Sequence, residues 1–408
     1  MIDKYYNGVI EQVVSGIGNV EHNSILVRYS NDFSIWDLES VNHYKDQSDI
    51  FFTCHEFSYN KIAEAYEPYL GLIRQMFHRY CSGTLEEFME ECDVYKLQRP
   101  VFESYFEKGF CERTEQILID EVEYEQERMR NSIVTMLQKL SEIRPVVIVL
   151  NRFQLASKST MQLSNRLLQT KNKNIGIVLG VNDVQSIPEF AHEEWDAICE
   201  SMDDRNMVYH IGNAGRNMEP DVMDYYSDYE SDDGYRKLNN LVYFLDFDQA
   251  DHHLSKIERR IKFDNFTISE KKHYQLLLLQ IMVSVLQRDI AKALESCEDL
   301  EKLQDQEKEG AFYYNFWMAT SYMYLGKLEE AMIYVQKAKE CGEALGDDFL
   351  VFRAELLKAQ NQMSGWCNIF FCAQDIEISD KLIEKLNAYH YKNHCLLYTS
   401  DAADDTPC

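Results

Sequence analysis

The sequence predicts an α/β region, a parallel sheet with flanking helices, followed by an all-α region of helical repeats. Three observations lead there. From residue 24 to about 212, short apolar runs rich in β-branched residues alternate with long amphipathic stretches, the pattern of strands buried on both faces by crossover helices. Residues 219–234 (EPDVMDYYSDYESDDG) then hold seven carboxylates and no basic residue, which reads as an exposed linker or flexible loop. Beyond them the pattern is wholly helical, with small residues at regular spacing between 311 and 342.

Taken in order, the expected strands are Ser24–Tyr29 (SILVRY), Ile50–Cys54 (IFFTC), Val146–Leu150 (VVIVL), Ile175–Gly180 (IGIVLG) and Met207–Ile211 (MVYHI). A helical insertion over 59–142 separates the second from the third. Gly16 and Gly18 precede the first strand and no lysine follows them, so they read as a helix stop rather than a phosphate loop. These boundaries give a first domain over 1–216, a linker over 217–235 and a helical-repeat domain over 236–394. The closing residues 395–408, beginning CLLYTSDAAD, carry no apolar periodicity. They resemble a translated sequencing adapter, so the expectation is a non-native tail on a fragment whose parent continues past about His394.

Composition narrows the function classes. The 41 basic against 69 acidic residues give a net charge of −28, which repels nucleic-acid backbones and anionic lipid. No run approaches the roughly 18 apolar residues of a membrane span, and the N-terminus lacks a signal-peptide pattern; a cytoplasmic location is expected. The 11 cysteines include no CxxC pair, Cys367 and Cys372 being the closest two, so reduced thiols and no metal site are expected.

Tyr322, Gly326, Ala331 and Ala338 fall at the spacing Y-x3-G-x4-A-x6-A, which resembles the tetratricopeptide repeat. Small residues let antiparallel helices approach, and the glycine permits the turn between them. Arg288 and Ala293 stand 38 residues before Gly326 and Ala331 as a degenerate second copy, and a third helical pair is expected to begin near Phe349. The competing reading is an irregular helical bundle.

The order of elements before the linker, and above all the stretch Arg144–Asp183 (RPVVIVLNRFQLASKSTMQLSNRLLQTKNKNIGIVLGVND), resembles the NTPase domain of the STAND class, the AAA-like signalling ATPases. Ser159–Thr160, the leucine-rich helix 161–168 and the strand Ile175–Gly180 match that pattern, as does FFTCHEF leading into AYEPYLGLIRQM. The resemblance covers roughly 20–215 and implies a P-loop NTPase-like fold in the sensing half of a larger signalling protein. It also implies an output domain downstream, a diguanylate cyclase with a GGDEF motif or a helix-turn-helix regulator.

The chain departs from that family where nucleotide binds. A phosphate loop needs glycine amides, a lysine and a hydroxyl for magnesium, whereas the first strand is followed by Ser30 to Asp37 (SNDFSIWD). Asp32 and Asp37 put negative charge where phosphate would lie, and Ser34 alone could imitate a magnesium ligand. The third strand ends in Asn151 and Arg152 instead of two acids; an amide is a poor hard-cation ligand and arginine is no base at neutral pH. Asp183 stands where the family carries a basic or amide sensor.

His55 and Glu56, with Gln154 and Arg152, are expected on the ligand-binding rim at the C-terminal ends of the strands. The carboxylates of 120–130 fit a solvated helix face. The expectation is therefore a non-catalytic regulatory module with no cofactor, acting through a protein partner or an intramolecular output domain. The alternatives are a nucleotide switch or weak ATPase with atypical ligands, and a passive helical scaffold.

Overall fold

A computed structural model of the chain describes residues 2–19, 23–29, 34–45, 49–58, 61–96, 98–111, 122–170, 172–182, 187, 189–203, 207–211, 231–263 and 267–364. Its described residues fall into two compact units, the first ending at Ala250 and the second running from Asp251.

The first unit is built on a five-stranded parallel sheet of order β2-β3-β4-β1-β5. Helix α1 (Ile2–Gly16) leads into β1 (Ser24–Tyr29), after which come α2 (Glu39–Tyr44) and β2 (Phe51–Glu56). The insertion holds α3 (Tyr69–Tyr80), α4 (Leu85–Glu91), α5 (Arg99–Lys108) and α6 (Val122–Ile143). Then follow β3 (Val146–Asn151), α7 (Lys158–Gln169), β4 (Ile175–Asn182), α8 (His192–Asp203) and β5 (Val208–Ile211). The five strands lie where the apolar runs placed them. The second and third run on to Glu56 and Asn151, and the fourth to Asn182, because polar residues at those ends still pair in the sheet or bond below it.

Every residue of β3 and β4 is buried, which explains their unbroken apolar runs: both faces are covered and no alternation is required. Helix α1 packs on β4, β1 and β3. At Gly176 an added Cβ would meet Val13 Cγ1 at 2.7 Å, so the glycine is what lets helix and strand approach. Gly16 ends α1, and Gly18 takes φ 95° with its N–H on the Lys173 carbonyl at 2.8 Å. The pair is a helix stop.

Downstream of the acidic segment, α9 (Asp232–Tyr243) starts inside the stretch read as linker, with Ser231 accepting from Gly234 N–H at 2.9 Å. It packs within the first unit: the Asn240 amide oxygen accepts from Cys111 N–H at 2.8 Å, and Asp246 accepts from Ser159 N–H at 2.8 Å. After it come α10 (Phe247–Phe263), α11 (Glu270–Leu286), α12 (Ile290–Glu301), α13 (Gly310–Tyr324), α14 (Leu328–Leu345) and α15 (Asp348–Ser364). In the second unit Val285, Ala293, Cys297, Phe316, Val335 and Ala338 belong to one buried cluster.

Three interhelical turns share one geometry and a buried alanine after it, while the turns at Asp93 and Gly346 share the geometry alone. Leu245, Arg288 and Gly326 take φ 65°, 66° and 71°. The N–H of the next residue bonds a carbonyl five back: Asp246 to Leu241 at 2.8 Å, Asp289 to Ser284 at 2.8 Å and Lys327 to Tyr322 at 2.9 Å. Five residues after each left-handed residue stands an alanine with no exposure, Ala250, Ala293 and Ala331. This is the Schellman stop with its close-packed following helix. The sequence pattern found two of the three, because Leu245 hides the first where a glycine would announce it. Ala338 is also fully buried, and Tyr322 stacks on Tyr334 at 5.5 Å. α15 begins where a further pair was expected near Phe349; the remainder of that pair, Cys367, Cys372 and the 395–408 tail lie outside the described residues. Most of the 217–235 segment does too.

No described helix is long and apolar enough to cross a membrane. Gly326→Ala should lower the unfolding free energy by about 1 kcal/mol, the penalty of a left-handed backbone with a Cβ, since nothing crowds that position. Urea unfolding of the single variant measures it.

Candidate functional site

The connection from β1 leads to β2 at one edge, while that from β4 leads to β5 beyond β1. The two chains leave the C-terminal edge in opposite directions and make a topological switch point, where open α/β sheets bind ligands. Asn151, Arg152, Ser34, Glu56 and Gln154 converge there. Ser30, Asp32 and Asp183 lie outside the described residues; for Asp37 only the backbone is described, as the last residue of a 3-10 turn over Ile35–Asp37.

Under the switch point the space is filled by side chains. The Tyr29 hydroxyl donates to Asn151 Oδ1 at 2.8 Å. Gly180 sits beneath them, and a Cβ there would collide with both Tyr6 Oη and Asn151 Oδ1. Tyr6 reaches this place from α1 and is wholly buried. Burial first, then the neighbouring Tyr29, Cys54 and Glu56, pushes its phenol well above the ordinary tyrosine range. Gln154 is fully buried and its amide oxygen accepts from Asn182 N–H at 3.2 Å, so it braces β4 from below instead of lining a rim.

At the mouth, Glu56 is the hub. One carboxylate oxygen pairs with Arg152 Nη1 at 2.9 Å. The other accepts from Ile35 N–H at 3.0 Å and from the Ser34 hydroxyl at 3.2 Å. Ser34 also caps the 3-10 turn by accepting from Trp36 N–H at 3.4 Å. Arg152 is held in the left-handed region at φ 53°, which turns it back from the end of β3. The loop after β1 therefore has an anion on its amide and hydroxyl, and that anion is the protein's own carboxylate. Negative charge held by exposed N–H groups and an arginine is the chemistry of phosphate binding.

His55 faces away from this hub. Its Nε2 lies 3.4 Å from Glu67 Oε1, and burial drives the imidazole down to about 4. At neutral pH the contact joins an uncharged ring to a carboxyl group and is not an ion pair. Glu67 is raised by burial. Glu64 is pushed up to about 7 by burial and then by Glu67, against an amide hydrogen bond from Asn240 at 2.8 Å. Burial also pushes the Cys54 thiol up to about 12, so it is no nucleophile at neutral pH. Among the described residues no group of three or more His, Cys, Asp or Glu is placed to hold a metal ion.

The sequence pointed to Ser34, Asn151, Arg152 and Glu56 one at a time. It did not show that they meet, nor that Tyr6 and Tyr29 fill the space below. Tyr6 lies 23 residues before Tyr29 on a helix whose apolar face looks like any other. In comparisons with known families, with curated proteins and with solved structures, the chain matches none.

Two outcomes follow. Gly180→Ala should destabilise the protein by about 1–3 kcal/mol through overpacking, and adding Tyr6→Phe should recover part of the loss; thermal unfolding of the single and double variants checks this. The second concerns pH. A carboxyl with a raised folded pKa favours the fold while protonated, so the Glu64 contribution is present below about 4.5 and is lost as pH rises towards about 7. His55 acts in the opposite sense between about 6.5 and about 4, so the informative quantity is the difference from a variant. Glu64→Gln should gain stability over wild type at pH 8 and little or none at pH near 4.5, read as the Tm difference across that range.

Proposed function

We propose that this chain is a non-catalytic regulatory and interaction module: a pseudo-NTPase core of the STAND-like kind that its sequence resembles, joined to tetratricopeptide-like hairpins that receive a protein partner. The observation that carries the reading is Glu56, a carboxylate that takes the anion place at the switch point between Arg152 and the Ile35 amide. A phosphate entering there would have to displace a paired carboxylate and would then sit beside it, which like-charge repulsion opposes. Asn151 is spent on Tyr29, and neither group resembles the acid pair that holds magnesium and polarises water.

The parallel sheet with β1 between β4 and β5 supports the resemblance at the level of architecture. The repeated turns at Leu245, Arg288 and Gly326 support the repeat reading of the helical part. A core of this kind retains the geometry of a switch without a reaction to drive it. A partner, or an output domain on a longer parent, would then read its conformation.

Calorimetric titration of the chain with ATP, ADP and GTP, with and without magnesium, tests this reading. No heat and no thermal stabilisation at millimolar nucleotide are expected. Micromolar binding, or magnesium-dependent turnover abolished by changes in residues 30–37, overturns it in favour of a nucleotide switch. Glu56→Ala should gain weak affinity for inorganic phosphate, and adding Arg152→Ala should remove that gain, because the carboxylate is what fills the anion place.

A further inference from the structure

β2 is an edge strand, pairing only with β3 among the described residues. Phe51 N–H bonds the Pro145 carbonyl at 2.7 Å and Phe57 N–H bonds the Asn151 carbonyl at 3.0 Å. In a parallel ladder alternate residues bond to alternate sides, so the peptide groups of Phe52 and Cys54 point outward. They open into a cleft of about 500 Å³ lined by every residue from Ile50 to Cys54. Because consecutive residues line it, the cleft follows the strand's edge rather than one face of the sheet.

Its walls come from two sides, Trp36, Val41 and Lys45 on one and Gln75, Arg79 and Tyr80 on the other, with Arg144 also lining it. Among the described residues Lys45, Arg79 and Arg144 line the cleft and no carboxylate does, in a chain whose net charge is −28. None of the three has a carboxylate partner among the described residues. They lie against rings instead: Lys45 over Trp36 at 5.3 Å, Arg79 over Tyr80 at 5.4 Å, and Arg144 donating to Tyr80 Oη at 2.9 Å. Arg144 Nε is buried without a hydrogen-bond partner.

Charges often guard a sheet edge against unwanted pairing, but such guards stand on the strand itself or come as a proline or bulge. Here the Ile50–Cys54 stretch carries no charge, proline or bulge, the strand's one carboxylate, Glu56, is bound at its far end by Arg152, and the cations stand on the flanking walls. We propose that this edge is a docking groove for an extended acidic peptide of a partner protein, which adds as a strand beside β2. Its backbone would pair with Phe52 and Cys54, and its acidic side chains would meet Lys45, Arg79 and Arg144, the β-augmentation mode of recognition. The inference is independent of whether the switch point binds nucleotide.

The test uses a fluorescein-labelled decapeptide of alternating valine and glutamate, titrated into the full chain and followed by polarisation, with a valine–lysine decapeptide as control. The acidic peptide is expected to bind and the basic one not. Lys45→Glu and Arg79→Glu, both exposed side chains, should each weaken binding by about tenfold while leaving the melting temperature near wild type. Amide exchange at Phe52 and Cys54 should slow on binding. Equal binding of the basic peptide, indifference to both charge reversals, or unchanged exchange at those two amides each overturns the proposal. Binding that emerges only after the carboxylates of residues 219–233 are replaced by their amides also overturns it, since the groove would then belong to the chain's own acidic segment.

Discussion

Helix α1 lies against β4 at two glycines, Gly176 under Val13 and Gly180 under Tyr6, and that close approach fixes what fills the C-terminal edge of the sheet. A Cβ at either place would meet the helix's side chains closer than van der Waals contact allows. With glycine at both places the helix settles onto the backbone, and the Tyr6 ring reaches under the switch point beside Asn151 and Tyr29. An interior packed to organic-crystal density leaves no room there for a second occupant. The space beneath the switch point is part of the core.

Electrostatics completes what packing begins. Glu56 takes an arginine, a backbone amide and a hydroxyl at once, which satisfies the carboxylate and fixes the loop after β1 against the end of β2. Three partners on a part-buried charge make the arrangement far more specific than a surface ion pair. Three cations with no carboxylate partner among the described residues, Lys45, Arg79 and Arg144, line the cleft along the β2 edge. A satisfied anion thus stands at the switch point, and a group of cations without acids at the sheet's margin.

Much of the fold was legible. Five apolar runs gave five strands, unbroken in β3 and β4 because residues buried on both faces of a parallel sheet must be apolar, and β1 matches its run to the residue. The hairpin at Gly326 was legible because glycine marks a left-handed turn, and the copy at Arg288 followed from it by spacing. The hairpin at Leu245 was not: its leucine carries no turn signal, and Asn239, Asn240 and Asp246 acquire their meaning only from Cys111, Glu64 and Ser159, at distant places in the chain. At the switch point, the absence of phosphate-loop glycines and of a strand-end acid could be read directly. The substitute, Glu56 on Arg152, could not, because a histidine–glutamate pair at a strand end has many possible partners.

The sequence by itself determined the order and period of the elements and the residue types at the strand ends, since strand burial, helix stops and residue type are local properties. Tertiary structure alone decided which of those residues meet. Tyr6, Tyr29, Glu56, Asn151 and Arg152 come from one helix, three strands and the turn beyond one of them, and Lys45, Arg79 and Arg144 from three separate segments. Their meeting is fixed by how closely α1 approaches β4 and by which strand is left at the edge. Both follow from packing between segments distant in the chain, which leaves no pattern in any stretch of it.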